Sequence, residues 1–216
     1  MPRKLIPFAI CYDFDGTLAP GNMQERNFIP GIGMTKSTFW EEVNARCKAH
    51  KADNILIYMG LMLEKADSAK IRVGRADFAK YGRQLVLFPG VSDWFGRINA
   101  YGKAGGFKVT HHIISSGIRE MVLGTKIAKY FQDIYASSFV YDHNGVAEWP
   151  ALALNYTTKT QYLFRINKGV KDVFDHEVIN AYVRPEDRPI PFHNMVYVGD
   201  GETDVPCFRL VKDQGG

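Results

Sequence analysis

The stretch Phe8-Ala9-Ile10-Cys11-Tyr12-Asp13-Phe14-Asp15-Gly16-Thr17-Leu18 decides the fold. A short apolar run ending in two carboxylates and a glycine reads as a buried strand that delivers acids at its C-terminal tip. In open α/β sheets that tip is where ligands bind. Asp13 and Asp15 lie two positions apart, so on a strand both point to the same side. Like charges held that close push their pKa values apart unless a cation keeps both ionised. The pair suits a nucleophile beside an acid/base, with a metal nearby. Taken alone, the hexapeptide also fits a surface turn, where Asp and Gly are common.

Working outward, the pattern repeats. Met195-Val196-Tyr197-Val198-Gly199-Asp200-Gly201-Glu202-Thr203-Asp204 is a second apolar run ending in glycine and acids. Between the two, His112-Ile113-Ile114-Ser115-Ser116-Gly117 is a strand ending in hydroxyls, with a helical pattern after it. Lys159 opens a further helical segment, Lys159-Thr160-Gln161-Tyr162-Leu163-Phe164-Arg165-Ile166. One such tip arises easily by chance, whereas several in this order do not. Together they resemble the motifs of the haloacid dehalogenase superfamily, and more closely its phosphatase branch, similar to phosphoserine phosphatase. Dehalogenases proper lack the second acid of the first motif, so Asp15 favours phosphoryl chemistry.

The resemblance implies a Mg²⁺ site in which Asp13 and Asp200 give carboxylates and Asp15 its backbone carbonyl. Asp13 is then the nucleophile that forms an aspartyl-phosphate. Asp15 protonates the departing oxygen and later takes a proton from the hydrolytic water. Ser115, with Ser116, Gly117 and neighbouring N–H groups, binds phosphoryl oxygens, and Lys159 offsets negative charge. The family register prefers Ser115 to Ser116 as the functional hydroxyl. Lys168, before Gly169, competes with Lys159. Asp204 is either a group supporting the ligands or the cap of the next helix.

A chain of 216 residues buries one good core, or a core with a smaller inserted unit. Net charge of +4 without a basic block or basic-aromatic stripe gives no sign of nucleic acid as an obligate partner. The expected partner is a small phosphorylated metabolite. Cys11, Cys47 and Cys207 are an odd, widely spaced set that reads as reduced thiols, without a zinc or disulfide framework. The N-terminal run enters the aspartates with no cleavage site, and the most apolar stretch, Ile55 to Leu63, is too short for a membrane span. The expectation is a cytoplasmic protein that does not act at a membrane.

The first motif and the serine motif are about a hundred residues apart, far more than one βα unit needs. Residues 20–88 therefore read as an inserted, mostly helical cap, and 1–19 with 89–216 as the core. Thr38-Phe39-Trp40-Glu41 fits a capping box, with Trp40, Val43 and Cys47 on one face. Asn54 to Ala66 is apolar nearly all round, hence buried. Pro30, Gly31 and Gly33, and then Pro89-Gly90, mark candidate hinges. Glu25, Arg26 and Arg75 near the cap termini read as solvated charge. In the core, Val91 to Lys103 reads as a helix, Phe107 to Ile114 as a strand, Ile118 to Phe131 as a helix and Ile134 to Tyr141 as a strand. Phe139 to Trp149 reads as a hairpin around Asp142-His143-Asn144-Gly145. Strands alternating with helices argue for a doubly wound, mostly parallel, Rossmann-like sheet. The sequence stops at Asp213 to Gly216, where the resembled family adds a strand and a helix, so either the sheet is one strand short or the chain is a fragment. His111 and His112 read as strand residues facing opposite ways, and His176 and His193 as ordinary surface or packing residues.

The leading expectation is a Mg²⁺-dependent phosphatase. A phosphomutase of the same superfamily and a non-catalytic metal-binding relative are the alternatives. A phosphate-responsive receiver domain is half this length and arranges its acids differently.

Overall fold

The computed structural model describes residues 4–216. Five strands form one sheet in the order β4-β3-β2-β1-β5: β1 (Ile6–Tyr12), β2 (Phe107–Ile118), β3 (Phe131–Tyr141), β4 (Ala147–Leu152) and β5 (Met195–Val198). All neighbours are parallel except the β3–β4 hairpin. The helices are α1 (Met23–Arg26), α2 (Phe28–Gly31), α3 (Lys36–His50), α4 (Asn54–Ser68), α5 (Arg75–Arg83), α6 (Val91–Ala104), α7 (Arg119–Gly124), α8 (Tyr156–Lys168), α9 (His176–Asn180) and α10 (Val205–Asp213).

Strand β1 is central because alternate side chains enter two different cores. Ile10 and Tyr12 join the apolar cluster beneath α2–α6, whereas Ala9 and Cys11 join the one beneath α8 and α10. A strand covered on both faces reads as a continuous apolar run, as Phe8–Tyr12 does. The sequence runs outward from β1 through β2, β3 and β4, then returns to place β5 on β1's other side. That reversal between β1 and β5 opens a crevice at the carboxyl ends of the strands.

The two histidines of β2 face opposite ways. Tyr12 Oη lies 2.9 Å from His111 Nδ1, and His111 Nε2 lies 3.0 Å from Asn99 Oδ1. His112 Nδ1 instead lies 3.0 Å from an Asp133 carboxylate oxygen.

The helices between β1 and α6 fasten onto the core. Phe78 stacks on Phe139 of β3 with centroids 5.4 Å apart. Helices α5 and α7 cross so closely that a Cβ on Gly82 or Gly124 would overlap the opposing backbone. Helix α3 is capped one turn earlier than expected, by Thr35, whose Oγ1 accepts from Thr38 N at 3.2 Å while Thr38 Oγ1 accepts from Thr35 N at 3.2 Å. Thr38 is thus the third helical residue of the box, and its phenylalanine neighbour Phe39 is the one buried.

Two further expectations need correction. Strand β2 runs on to Ile118, and the helix expected up to Phe131 ends at Gly124. Thr125 Oγ1 donates to Val122 O at 2.8 Å, taking a terminal carbonyl. A 3-10 turn at Ala128–Tyr130 then leads straight into β3. The apolar residues between had mimicked helical spacing while serving as turn and strand. Glu25, expected in solvent, has a side chain only 11% exposed and pairs with Lys36 at 2.6 Å.

Candidate active site

Each motif contributes the tip of its strand. Asp13 follows β1, and its N–H donates to Val198 O at 2.9 Å, locking the first acid against the end of β5. Tyr12 pairs with Ile113 in β2, so the hydroxyl-bearing Ser115 lies just beyond, on the crevice rim. Gly199 and Asp200 continue from β5 on the opposite side. A cavity of about 360 Å³ opens there, lined by Asp13, Asp15, Ser115, Ser116, Gly117 and Asp200.

Carboxylate oxygens of Asp13, Asp200 and Asp204 lie within 4.8 Å of one another. Asp200 is exposed and oriented by Thr17, whose Oγ1 donates to its Oδ1 at 2.8 Å. Gly16 makes this approach possible. Its φ of +77° is a left-handed conformation, and a Cβ there would overlap the Asp200 carboxylate. At Gly117, whose φ is not left-handed, a Cβ would press on the end of the Met23 side chain. Three hard carboxylates gathered so closely fit a small divalent cation. Asp15's carboxylate lies outside this trio.

Beneath the acids lies a buried cation. Lys159 occupies the inward face of α8 with Tyr162, Leu163 and Ile166, the i, i+3, i+4, i+7 pattern of a helix packed on a sheet. It is completely buried; its Nζ donates to Asp204 Oδ1 at 2.7 Å and to Thr203 Oγ1 at 3.2 Å, and stands 3.3 Å from Asp13 Oδ1. Lys168, the rival, turns away and donates to Ile179 O and Ala181 O. Asp204 is also fully buried, and it accepts from Tyr197 Oη at 2.7 Å and from Gly201 N at 3.1 Å. Its carboxylate therefore fixes the lysine and the loop carrying Asp200, and makes no side-chain cap for α10.

The two acids of the first motif differ in environment. Burial pushes Asp13 up to about 6, against the opposing pull of Lys159. Burial, and then the charge of Asp13, raise Asp15 well above the usual carboxylate range. Met23 N–H donates to Asp15 Oδ1 at 3.0 Å, so the group is held in place. An acid that stays protonated beside one that ionises divides the roles of proton donor and nucleophile. Ser115 is buried with its Oγ accepting from Gly117 N at 3.1 Å, whereas Ser116 Oγ is buried without a partner.

The opposite wall, supplied by the 20–88 segment, went unread in the sequence. Asn22, Gln24, Trp40, Asn54, Ile55 and Tyr58 line it. Tyr58 reaches the core directly, its hydroxyl donating to Ser116 O at 2.6 Å. These residues sit in no motif; Trp40 carried a signal only as one face of a helix, and Asn54, Ile55 and Tyr58 only as part of an apolar, buried stretch.

The haloacid dehalogenase-like hydrolase model matches residues 10–209, and the chain belongs to that family. An uncharacterized protein of Borreliella burgdorferi is 30% identical over 230 residues, covering 95% of this chain and 78% of its own. A haloacid dehalogenase family hydrolase from Salmonella enterica serovar Typhi superposes with a TM-score of 0.64 at 17% identity, over 97% of this chain. This chain spans 62% of that hydrolase's length. A substrate-bound phosphoserine phosphatase gives a TM-score of 0.59 at 15% identity, over 97% of this chain and 83% of the other. At such identities these two structures establish the shared fold.

Proposed function

We propose that the protein is a Mg²⁺-dependent phosphatase that hydrolyses a small phosphomonoester through an aspartyl-phosphate on Asp13. The observation that carries this reading is the convergence of Asp13, Asp200 and Asp204 oxygens within 4.8 Å, directly above the buried Lys159. A phosphate dianion repels an attacking carboxylate, so the reaction requires fixed positive charge around both. Asp13, Asp200 and the Asp15 carbonyl would hold the Mg²⁺, which would supply Lewis-acid neutralisation of that charge.

An Asp13 oxygen attacks phosphorus in line, forming an O–P bond as the ester O–P bond breaks. Asp15 gives its proton to the departing oxygen, releasing the alcohol. Lys159 stabilises the charge on Asp13 and on the transferring group, and Ser115, Ser116 and the Gly117 N–H hold phosphoryl oxygens. Water then attacks phosphorus, Asp15 takes its proton, and Asp13 is freed with inorganic phosphate. Residues 20–88 act as the cap over this site. Among the described residues no helix is long and apolar enough to cross a membrane. Three free thiols suit the reducing cytoplasm.

Phosphate release from p-nitrophenyl phosphate, with Mg²⁺ and with EDTA, tests the reading. Activity is expected with Mg²⁺ alone, and Asp13→Asn should abolish it by removing the reacting oxygen. Ordinary turnover by that variant overturns the proposal.

A further inference from the structure

Resting on that reading, we infer that the leaving group is an uncharged, hydroxylated molecule of sugar or polyol size. Among the described residues lining the cavity, the only charged side chains are Asp13, Asp15 and Asp200, all engaged in the chemistry. The wall facing them is neutral and polar, built from Asn22, Gln24 and Asn54, with Trp40 and Tyr58 as its aromatic part. Glu25, the acid of α1, is spent elsewhere. Its carboxylate accepts from Trp40 Nε1 and from Asn22 Nδ2, each at 2.8 Å, and pairs with Lys36.

A leaving group bearing a carboxylate finds no cation among the described residues of the wall that faces the acids. An ionised group taken out of water without a partner is strongly disfavoured. An ammonium group meets no free acid on the cap wall either. Hydroxyls, by contrast, find ready partners. Gln24 is 2% exposed, lines the cavity, and leaves its Oε1 buried without a hydrogen bond. A buried acceptor left unpaired on this wall is one that a hydroxyl of the leaving group can satisfy. The Trp40 indole is held by Glu25 and by an edge-on contact with Tyr58, with centroids 5.8 Å apart, which gives a fixed apolar face for the C–H side of a sugar. Size sets the upper limit, because about 360 Å³ must also admit the phosphoryl group. Pockets for small ligands run from about 300 to 1,000 Å³, and this one is near the bottom.

The test ranks kcat/KM of the intact protein with Mg²⁺ across glycerol, pentitol and hexose phosphates, O-phosphoserine, phosphoglycerate, phosphoethanolamine and nucleoside monophosphates. A polyol or sugar phosphate is expected to exceed every carboxylate- or ammonium-bearing ester by about tenfold or more. Gln24→Leu should raise KM for that ester about tenfold, the value of one lost hydrogen bond, with kcat little changed. O-phosphoserine or phosphoglycerate at the head of the ranking overturns the inference, as does a nucleotide, which would break the size limit. Hydrolysis of p-nitrophenyl phosphate in the same samples reports on the phosphatase reading separately. If no ester turns over, titration of tryptophan fluorescence with the same compounds ranks binding instead. Polyol or sugar phosphates binding first supports the inference; binding of charged esters first, or of none, overturns it.

Discussion

Replacing Lys159 with methionine should damage stability and chemistry through one cause. The substitution keeps the volume on the inner face of α8 and removes the only cation among the described residues in contact with Asp204, which is fully buried, and with Asp13, which is 7% exposed. Breaking a buried ion pair by deleting one partner costs about 3–5 kcal/mol, because the other charge is left unmatched. In a domain of this size each kcal/mol moves Tm by about 2–4 °C, so the melting point should fall by roughly 6–20 °C in EDTA. The loss should also depend on pH. Without the lysine, Asp13 loses the charge that opposes its burial and titrates still further above its unfolded value, so the folded state binds the extra proton. Stability of the variant should therefore be best preserved near pH 4–5 and decline as pH rises through neutrality. Asp204→Asn in the same chain should recover part of the loss, by removing one unmatched charge. Turnover should drop by about 10²–10³, the usual effect of deleting a fixed group that stabilises the transition state. Differential scanning fluorimetry from pH 4.5 to 8, with phosphate release at saturating Mg²⁺, provides both readings. A Tm within two or three degrees of the parent at pH 8 would falsify the assignment of Lys159 as partner to the buried acids.

Gly16→Ala should leave the fold intact while crippling the site. The left-handed backbone costs about 1–2 kcal/mol with a Cβ present, and the overlap displaces Asp200. Isothermal titration should show Mg²⁺ affinity reduced at least about tenfold, and unchanged affinity would count against Gly16 as the space that admits Asp200. His111 predicts an acid-sensitive core. Burial lowers it from its ordinary 6.5 to about 4, and the Asn99 and Tyr12 contacts occupy both ring nitrogens. The unfolded chain then binds the extra proton between those values, so stability is full above pH 6.5 and falls as pH drops towards 4. At about 1.4 kcal/mol per pH unit the interval is worth about 3 kcal/mol. Urea denaturation at pH 7 and 4.5 should show this difference, and His111→Gln should flatten it. An equal pH dependence in that variant would refute the role.

The sequence by itself determined the sheet and the position of its chemistry. An apolar run ending in acids is a local pattern, and parallel strands place their carboxyl ends together whatever the loops do. Asp13, Asp15, Ser115 and Asp200 were therefore legible as a set. Local spacing failed where one pattern serves two structures. Ile118 to Phe131 has helical periodicity, yet the strand takes its first residue, and the helix stops at Gly124 where α7 crosses α5. Thr38 belongs to a capping box, but Thr35 opens it, because only the three-dimensional path of the chain decides which turn is first.

The tertiary structure alone decided which lysine serves the acids and what surrounds them. Lys159 and Lys168 lie on the same helix, and sequence ranks them only by family habit. The packing of α8 on the sheet buries the first beneath Asp13 and Asp204 and leaves the second on backbone carbonyls beside α9. Gln24, Trp40 and Tyr58 became one wall because α1, α3 and α4 converge over the strand tips from positions distant in sequence. Side chains brought together by long-range packing share no spacing, so their common role is set by the folded chain and by nothing shorter.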